Sequence, residues 1–125
     1  MPKRPNKRDR LDPTAAFRRI ALSLPGAKER AHMNHPDFRV NGRIFATLGY
    51  PDTNWGMVAL TPEEQQEFVK EYPTVFKPVN GAWGRQGATL VHLDVADEET
   101  LGRAITLAWQ TKARQKPASA KRRRT

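Results

Sequence analysis

Residues His35–Leu48 read HPDFRVNGRIFATL and contain the clearest structural signal in the chain. The central dipeptide of this stretch, Asn41-Gly42, is typical of a type I′ turn, because both central residues of that turn need a positive φ. Apolar and β-branched residues flank the dipeptide on both sides. The stretch therefore predicts a β-hairpin whose strands include Phe38–Val40 and Arg43–Leu48.

The two-residue turn also predicts which residues face each other across the hairpin. Arg39 would pair with Ile44, while Arg43 lies one position nearer to the turn, so the two arginines would leave from opposite faces. Strict alternation would place Ala46 and Leu48 on the same face as Arg39. At most one of the two arginines can then contact a given ligand.

Three helices are expected outside the hairpin, each with a recognisable start. The first begins near Asp12-Pro13-Thr14 and ends at Pro25-Gly26, the second begins at the capping box Thr61-Pro62-Glu63-Glu64 and ends at Pro73, and the third begins at Asp97 and fades near Ala113.

Further strands are expected at Glu29–Met33, Trp55–Leu60 and Ala88–Asp94. Residues 73–87, rich in proline and glycine, are expected to form a long loop or a loose hairpin. The order is helix, three or four strands, helix, strand, helix. Because the pattern contains hairpins without βαβ crossovers, we expect an α/β fold of the two-layer α+β type, a mainly antiparallel sheet covered by helices.

The charge of the chain is concentrated at its ends. The 125 residues contain 22 Lys and Arg against 13 Asp and Glu, a net charge of +9. Residues 1–13 account for +3 and residues 114–125 for +6, so residues 14–113 are formally neutral. Most apolar residues also lie in 14–113. We therefore expect one domain over 14–113 and disordered basic arms over 1–13 and 114–125.

Several classes of protein are excluded by composition. The chain has no cysteine, so it has no disulfide, no thiolate metal site and no cysteine nucleophile. No apolar run approaches the roughly 18 residues that a membrane span requires. A soluble cytoplasmic protein is the expectation.

The hairpin stretch His35–Leu48 resembles the MmcQ/YjbR family of small bacterial proteins. Three further blocks resemble the family in the same order: Leu24-Pro25-Gly26, the segment from Gly81-Ala82-Trp83-Gly84 into Thr89–Leu93, and the closing helix Ala96–Trp109. The resemblance covers about residues 15–113 and excludes both basic arms. It implies a CyaY-like, secretion-chaperone-like fold and a DNA-binding function, and it implies no catalytic motif and no cofactor.

The candidate nucleic-acid contacts are basic residues in three places. The C-terminal cluster can neutralise phosphates with little sequence preference, and Arg residues at the hairpin tip or in the glycine-rich segment can fix orientation. The alternative interpretation is solvated surface charge. The candidates are Arg39, Arg43, Lys77, Arg85, Lys121, Arg122, Arg123 and Arg124.

Other side chains admit a functional and a structural interpretation. Trp83 and Gln86 offer a stacking surface and an amide of the kind used on nucleotides, although a loop tryptophan more often packs the loop against the sheet. His32, His35 and Asp37 cluster within six residues, but Pro36 breaks any regular ligand spacing, so we expect structural histidines and no metal.

The sequence thus predicts a binding protein and not an enzyme, with nucleic acid as the first partner and contacts that are largely electrostatic and independent of base sequence. The alternative is a protein-interaction adaptor, monomeric or weakly dimeric, with solubilising arms. A third hypothesis, an enzyme or small-ligand binder, would require a concave pocket joining His32, His35, Asp37 and Trp83. Base preference, strand preference and pathway stay open.

Overall fold

The computed structural model describes residues 13–116. Its elements are α1 (Pro13–Ser23), β1 (Lys28–His32), β2 (His35–Val40), β3 (Arg43–Leu48), β4 (Trp55–Ala59), α2 (Pro62–Glu71), β5 (Phe76–Pro78), α3 (Ala82–Arg85), β6 (Ala88–His92) and α4 (Glu98–Ala113). The six strands form one antiparallel sheet in the order β1-β2-β3-β4-β6-β5. The two-layer α+β prediction is confirmed. None of the helices in residues 13–116 is long and apolar enough to cross a membrane.

The core lies between the sheet and the three long helices. Phe17 of α1 contacts Phe38 of β2, with ring centroids 6.0 Å apart, and both rings are fully buried. Ile105 of α4 and Phe68 of α2 belong to the same buried cluster. We call this side of the sheet the helix face.

The opposite side, which we call the open face, carries no helix longer than one turn in the described part of the chain. Cross-strand pairing places one row of residues on it through all six strands, because directly paired residues share a face. The row is Arg30, Asp37, Thr47, Met57, Leu90 and Lys77.

Three local signals in the sequence form as predicted. Asn41 and Gly42 have φ values of 57° and 74°, as a type I′ turn requires. Thr61 and Glu64 form a reciprocal capping box at the start of α2. The Asp97 carboxylate accepts from the backbone N–H of Thr100 and caps α4. These interactions fix where the two helices begin.

The predicted faces of β3 are wrong for Ala46 and Leu48, because the hairpin contains a β-bulge. Phe38 pairs with Ala46, but Arg39 pairs with Ile44, so Phe45 is an extra residue in β3. A bulged residue breaks the strict alternation of side chains along a strand. Phe45, Ala46 and Leu48 therefore all enter the core, and of the three residues predicted to share the face of Arg39 only Ile44 does so.

The expectation of a long loop or loose hairpin over residues 73–87 is confirmed only in part, because β5 and β6 do form an antiparallel pair but the residues between them are not a plain loop. The segment contains the edge strand β5 and the single turn α3. Gly84 of α3 lies against the backbone of Val79. A Cβ atom at this position would be only 1.6 Å from the Val79 carbonyl oxygen, so a glycine is required here. Gln65 of α2 donates from its Nε2 to the Gly84 carbonyl oxygen at 2.9 Å.

We expect Gly84→Ala to destabilise the protein by about 1–3 kcal/mol, because the new methyl group forces the backbone of α3 or of Val79 to move. Gly102→Ala is the matched control. It lies in α4 with no atom within 4 Å of a built Cβ, so the helix should gain about 0.5–1 kcal/mol. Chemical denaturation of both variants measures the difference, and equal stability of Gly84→Ala and the parent would contradict the close packing.

Candidate functional site

A cavity of about 450 Å³ lies on the open face and runs along β3. Ile44 and Thr47 line it from β3, and Met57 and Ala59 line it from β4. Met57 is the cross-strand partner of Thr47, and Ala88 of β6 is the partner of Ala59. The floor of the cavity is therefore a sheet surface of mainly aliphatic side chains, of the size and polarity that small-molecule sites usually have.

One end of the cavity lies near the Asn41-Gly42 turn and carries Trp83, Gln86 and Lys112. Trp83 belongs to α3, Gln86 is the C-cap residue of α3, and Lys112 lies in the last turn of α4. Asn41 Nδ2 donates to the Ala113 carbonyl oxygen at 2.9 Å, which fixes the end of α4 beside the hairpin turn. Three elements distant in sequence thus meet at this end.

Lys112 supplies a positive charge to the same end of the cavity. Its ammonium group has no hydrogen bond or ion pair with another described residue. Burial lowers the pKa of Lys112, and the nearby charge of Arg43 lowers it further. Arg43 is itself held in place, because its Nε donates to the Lys116 carbonyl oxygen at 3.0 Å. An anionic ligand group would compensate the positive charge at this end.

The other end of the cavity carries three rings that can form hydrogen bonds. His32 and His35 face each other across the β1–β2 hairpin, with ring centroids 6.4 Å apart. The Tyr50 ring lies 6.0 Å from that of His35. All three line the cavity, so its two ends differ in chemistry.

The carboxylate of Asp37 binds the His32 ring. This fully buried carboxylate lies 2.7 Å from His32 Nδ1 and accepts from Arg39 Nε at 2.7 Å and Nη2 at 3.0 Å. Burial acts to raise the pKa of Asp37, but the hydrogen bonds from Arg39 and His32 outweigh it and leave the pKa below its ordinary value. Because an ionised carboxylate can only accept, His32 Nδ1 is the donor, and Nε2 is the nitrogen free to meet a ligand.

Thr47 lies at the middle of the cavity floor and has an unpaired polar atom. The residue is 4% exposed, and its Oγ1 has no hydrogen-bond partner among the described residues. Buried hydroxyl groups in proteins are nearly always hydrogen-bonded. Thr89, on the helix face, shows the usual state, since its hydroxyl donates to the Gly87 carbonyl oxygen at 2.7 Å.

The four core cations predicted to contact nucleic acid are spread over the molecule. Arg39 lies on the open face next to the edge strand β1, and Lys77 lies on the same face at the other edge, 5.9 Å from the centre of the Trp55 ring. Six strands spaced about 4.8 Å apart set these edges roughly 24 Å apart. Arg85 is exposed on α3. Arg43 lies on the opposite side, as the hairpin register predicts.

Several residues of this face escaped prediction from the sequence. Lys28 and Arg30 lie on it beside Arg39, and their alternation along β1 was the available signal. No sequence pattern indicated Thr47 or Lys112. The bulge in β3 brings Thr47 to the cavity, and the position of the end of α4 brings Lys112 there. The predicted packing role of Trp83 is wrong, since this side chain is 62% exposed.

Three of the four residues named for a small-ligand pocket do line the cavity, namely His32, His35 and Trp83, while Asp37 contacts it through His32. Within residues 13–116, no group of three His, Cys, Asp or Glu side chains is placed to hold a metal ion. The predicted contacts Lys121, Arg122, Arg123 and Arg124 lie outside the described residues.

We expect Asp37→Asn to lower stability at pH 7 by about 1–3 kcal/mol, because it removes the charge that Arg39 and His32 bind. The folded pKa of Asp37 is depressed, so its stabilisation is complete above the unfolded pKa of about 4 and is lost as pH falls through the folded value. Unfolding curves from pH 7 to pH 3 should be flatter for the variant. Glu67→Gln, an exposed site in α2, is the control, and equal slopes for Asp37→Asn and the parent would contradict the depressed pKa.

A solved structure shares this architecture. The chain is similar to the crystal structure of the Deinococcus radiodurans protein DR2400, whose family-model domain is DUF419, with a TM-score of 0.70 and 16% identity over 85% of this chain and 82% of that chain. At this identity the likeness shows the fold alone. No curated protein matches the chain significantly. The YjbR family model matches residues 22–111, well over half of the chain, and the protein therefore belongs to the YjbR family.

Proposed function

We propose that the protein binds single-stranded nucleic acid on the open face of its sheet. The observation that carries the proposal is the sign of the charges on that face. Among the strand residues that point to it, Lys28, Arg30, Arg39 and Lys77 are cations, and Asp37 is the one carboxylate. Asp37 is fully buried and paired with Arg39, so the two charges largely cancel, and Lys28, Arg30 and Lys77 are the cations that this face offers to a ligand.

The acidic residues of the core lie mainly in the helix layer. In the described part of the chain, α2 and the start of α4 contribute Glu63, Glu64, Glu67, Glu71, Asp97, Glu98 and Glu99. The helices also carry cations, namely Arg18, Arg19, Lys70, Arg103 and Lys112, so the helix layer has charges of both signs, whereas cations outnumber carboxylates on the open face. A polyanion approaching the open face avoids the acidic first turns of α2 and α4, which would repel it.

Exposed aromatic rings on the open face favour a single strand over a duplex. Trp83 is 62% exposed, Tyr50 is 38% exposed, and Trp55 stacks on His92 with ring centroids 4.6 Å apart. Unpaired bases stack on such rings with little dependence on sequence, whereas the bases of a duplex are already stacked on one another. The basic rim can hold the phosphates while the rings hold the bases.

The basic arms extend this electrostatic contact in the proposal. Residues 1–13 and 114–125, the latter with the cluster Lys121–Arg124, carry the excess charge of the chain and would neutralise further phosphates. Their contribution is non-specific, while the open face fixes the position of the strand. The proposed activity is binding and not catalysis.

We expect the double variant Lys28→Gln, Arg30→Gln to weaken binding of a labelled single-stranded oligonucleotide several-fold, because it removes two cations from the open face. The slope of log K against log salt should become shallower by about 0.7 for each phosphate that the variant no longer neutralises. Fluorescence anisotropy of the full chain over a range of salt concentrations measures both quantities. Neither side chain makes an ion pair with another described residue, so the fold should be unaffected.

Two further variants make this test specific. Lys70→Gln removes one cation from α2 in the helix layer and should leave binding nearly unchanged. Replacing Lys121, Arg122, Arg123 and Arg124 together by glutamine measures the contribution of the C-terminal arm. If this arm variant loses all binding while Lys28→Gln, Arg30→Gln loses none, the open face is not the binding surface and the proposal fails.

A further inference from the structure

The cavity on the open face contains a hydroxyl group that the protein does not satisfy. Thr47 Oγ1 is buried without a partner among residues 13–116, and Thr47 lines the cavity. An unpaired buried hydroxyl is costly, and it is tolerated where a bound group completes its hydrogen bonds. This atom indicates that the cavity receives a ligand with polar atoms in contact with its floor.

The other polar groups of the cavity specify what kind of atoms the ligand carries. The Gln86 amide both donates and accepts, and it has no side-chain hydrogen bond to another described residue. A hydroxyl and an amide together fit a ligand edge that alternates donors and acceptors. An acyl chain would leave the buried Thr47 hydroxyl unpaired, so a purely apolar ligand is disfavoured.

The end of the cavity that carries Trp83, Gln86 and Lys112 also suits a ligand with a flat ring and a negative charge. Trp83 presents an exposed indole beside Gln86, and the floor between Ile44 and Ala88 is aliphatic, which suits a flat ring. Lys112 places an unpaired ammonium group at the same end. A single ligand with a flat ring, a hydrogen-bonding edge and a negative charge would therefore contact all of these groups.

We infer that this cavity seats one unpaired nucleotide, with its base on Trp83, the base edge on Thr47 and Gln86, and its phosphate at Lys112. This inference rests on the proposed function, because it names the place where a bound strand inserts a base. The same chemistry would also accept a free nucleoside monophosphate, so the experiment compares the two sources.

Thr47 Oγ1 is buried in the free protein, so the inference requires a neighbouring side chain to move when the base binds. Met57 is the cross-strand partner of Thr47 and lies beside it on the cavity floor. A methionine side chain is unbranched and adapts its shape at low cost. Movement of Met57 opens the hydroxyl to the ligand without a change in the sheet.

The test is calorimetric titration of the full chain with the four nucleoside monophosphates, with ribose 5-phosphate and with the uncharged nucleosides. We expect monophosphates to bind and ribose 5-phosphate to bind much more weakly, because it lacks the base. Thr47→Val should weaken monophosphate binding about five- to tenfold, through loss of one hydrogen bond. Lys112→Gln should weaken monophosphate binding and leave nucleoside binding unchanged.

Stability measurements separate a ligand contact from a structural role. Thr47→Val is nearly isosteric and removes an unsatisfied hydroxyl, so the free protein should be as stable as the parent or more stable. Thr89→Val is the matched control, because it removes a satisfied buried hydroxyl on the helix face and should lower stability without changing affinity in the folded protein. Thr47→Ser should retain most of the affinity.

A second titration keeps the inference distinct from the proposed function. An oligonucleotide and its abasic counterpart carry the same phosphates, and we expect the abasic strand to bind more weakly. Equal binding of the two strands, or full affinity in Thr47→Val, would overturn the nucleotide seat while leaving binding of the strand by the open face intact. Binding of monophosphates without binding of any oligonucleotide would support the seat and overturn the proposed function.

Discussion

A single extra residue in β3 decides what each side of the sheet presents. The bulge at Phe45 sends Ala46 and Leu48 into the core and turns Thr47 onto the open face. With strict alternation, Ala46 and Leu48 would share the face of Arg39, and Thr47 would point at the helices. The core under α4 and the cavity opposite it therefore depend on the same irregularity, as is common for bulges next to functional sites.

The two sides of the sheet differ in their distribution of charge. Helices α1, α2 and α4 cover one side, where the acidic first turns of α2 and α4 lie and where Arg19 pairs with Glu98 at 2.7 Å. The open side keeps its cations largely unpaired, except for Arg39. A folded domain can thus be neutral in total and still offer a basic surface, which the net charge of the sequence conceals.

Local signals in the sequence carried the prediction of the fold, and long-range packing limited it. Asn41-Gly42 and the Thr61 capping box depend on neighbouring residues, so they could be recognised directly. The bulge at Phe45 and the short strand β5 depend on pairing with other strands of the sheet, so no local sequence pattern predicts them. The cavity follows the same division: His32 and Trp83 stood out by residue type, whereas Thr47 became notable only through its position and its missing partner.

Backbone amide NMR of the full chain, titrated with a short single-stranded oligonucleotide, shows whether the open face is the surface that binds nucleic acid. We expect chemical-shift changes at Arg30, Thr47, Gln86 and Ala88, with α1 and α2 unaffected. Changes confined to residues 1–12 and 117–125, or centred on the helix layer, would contradict binding at the open face.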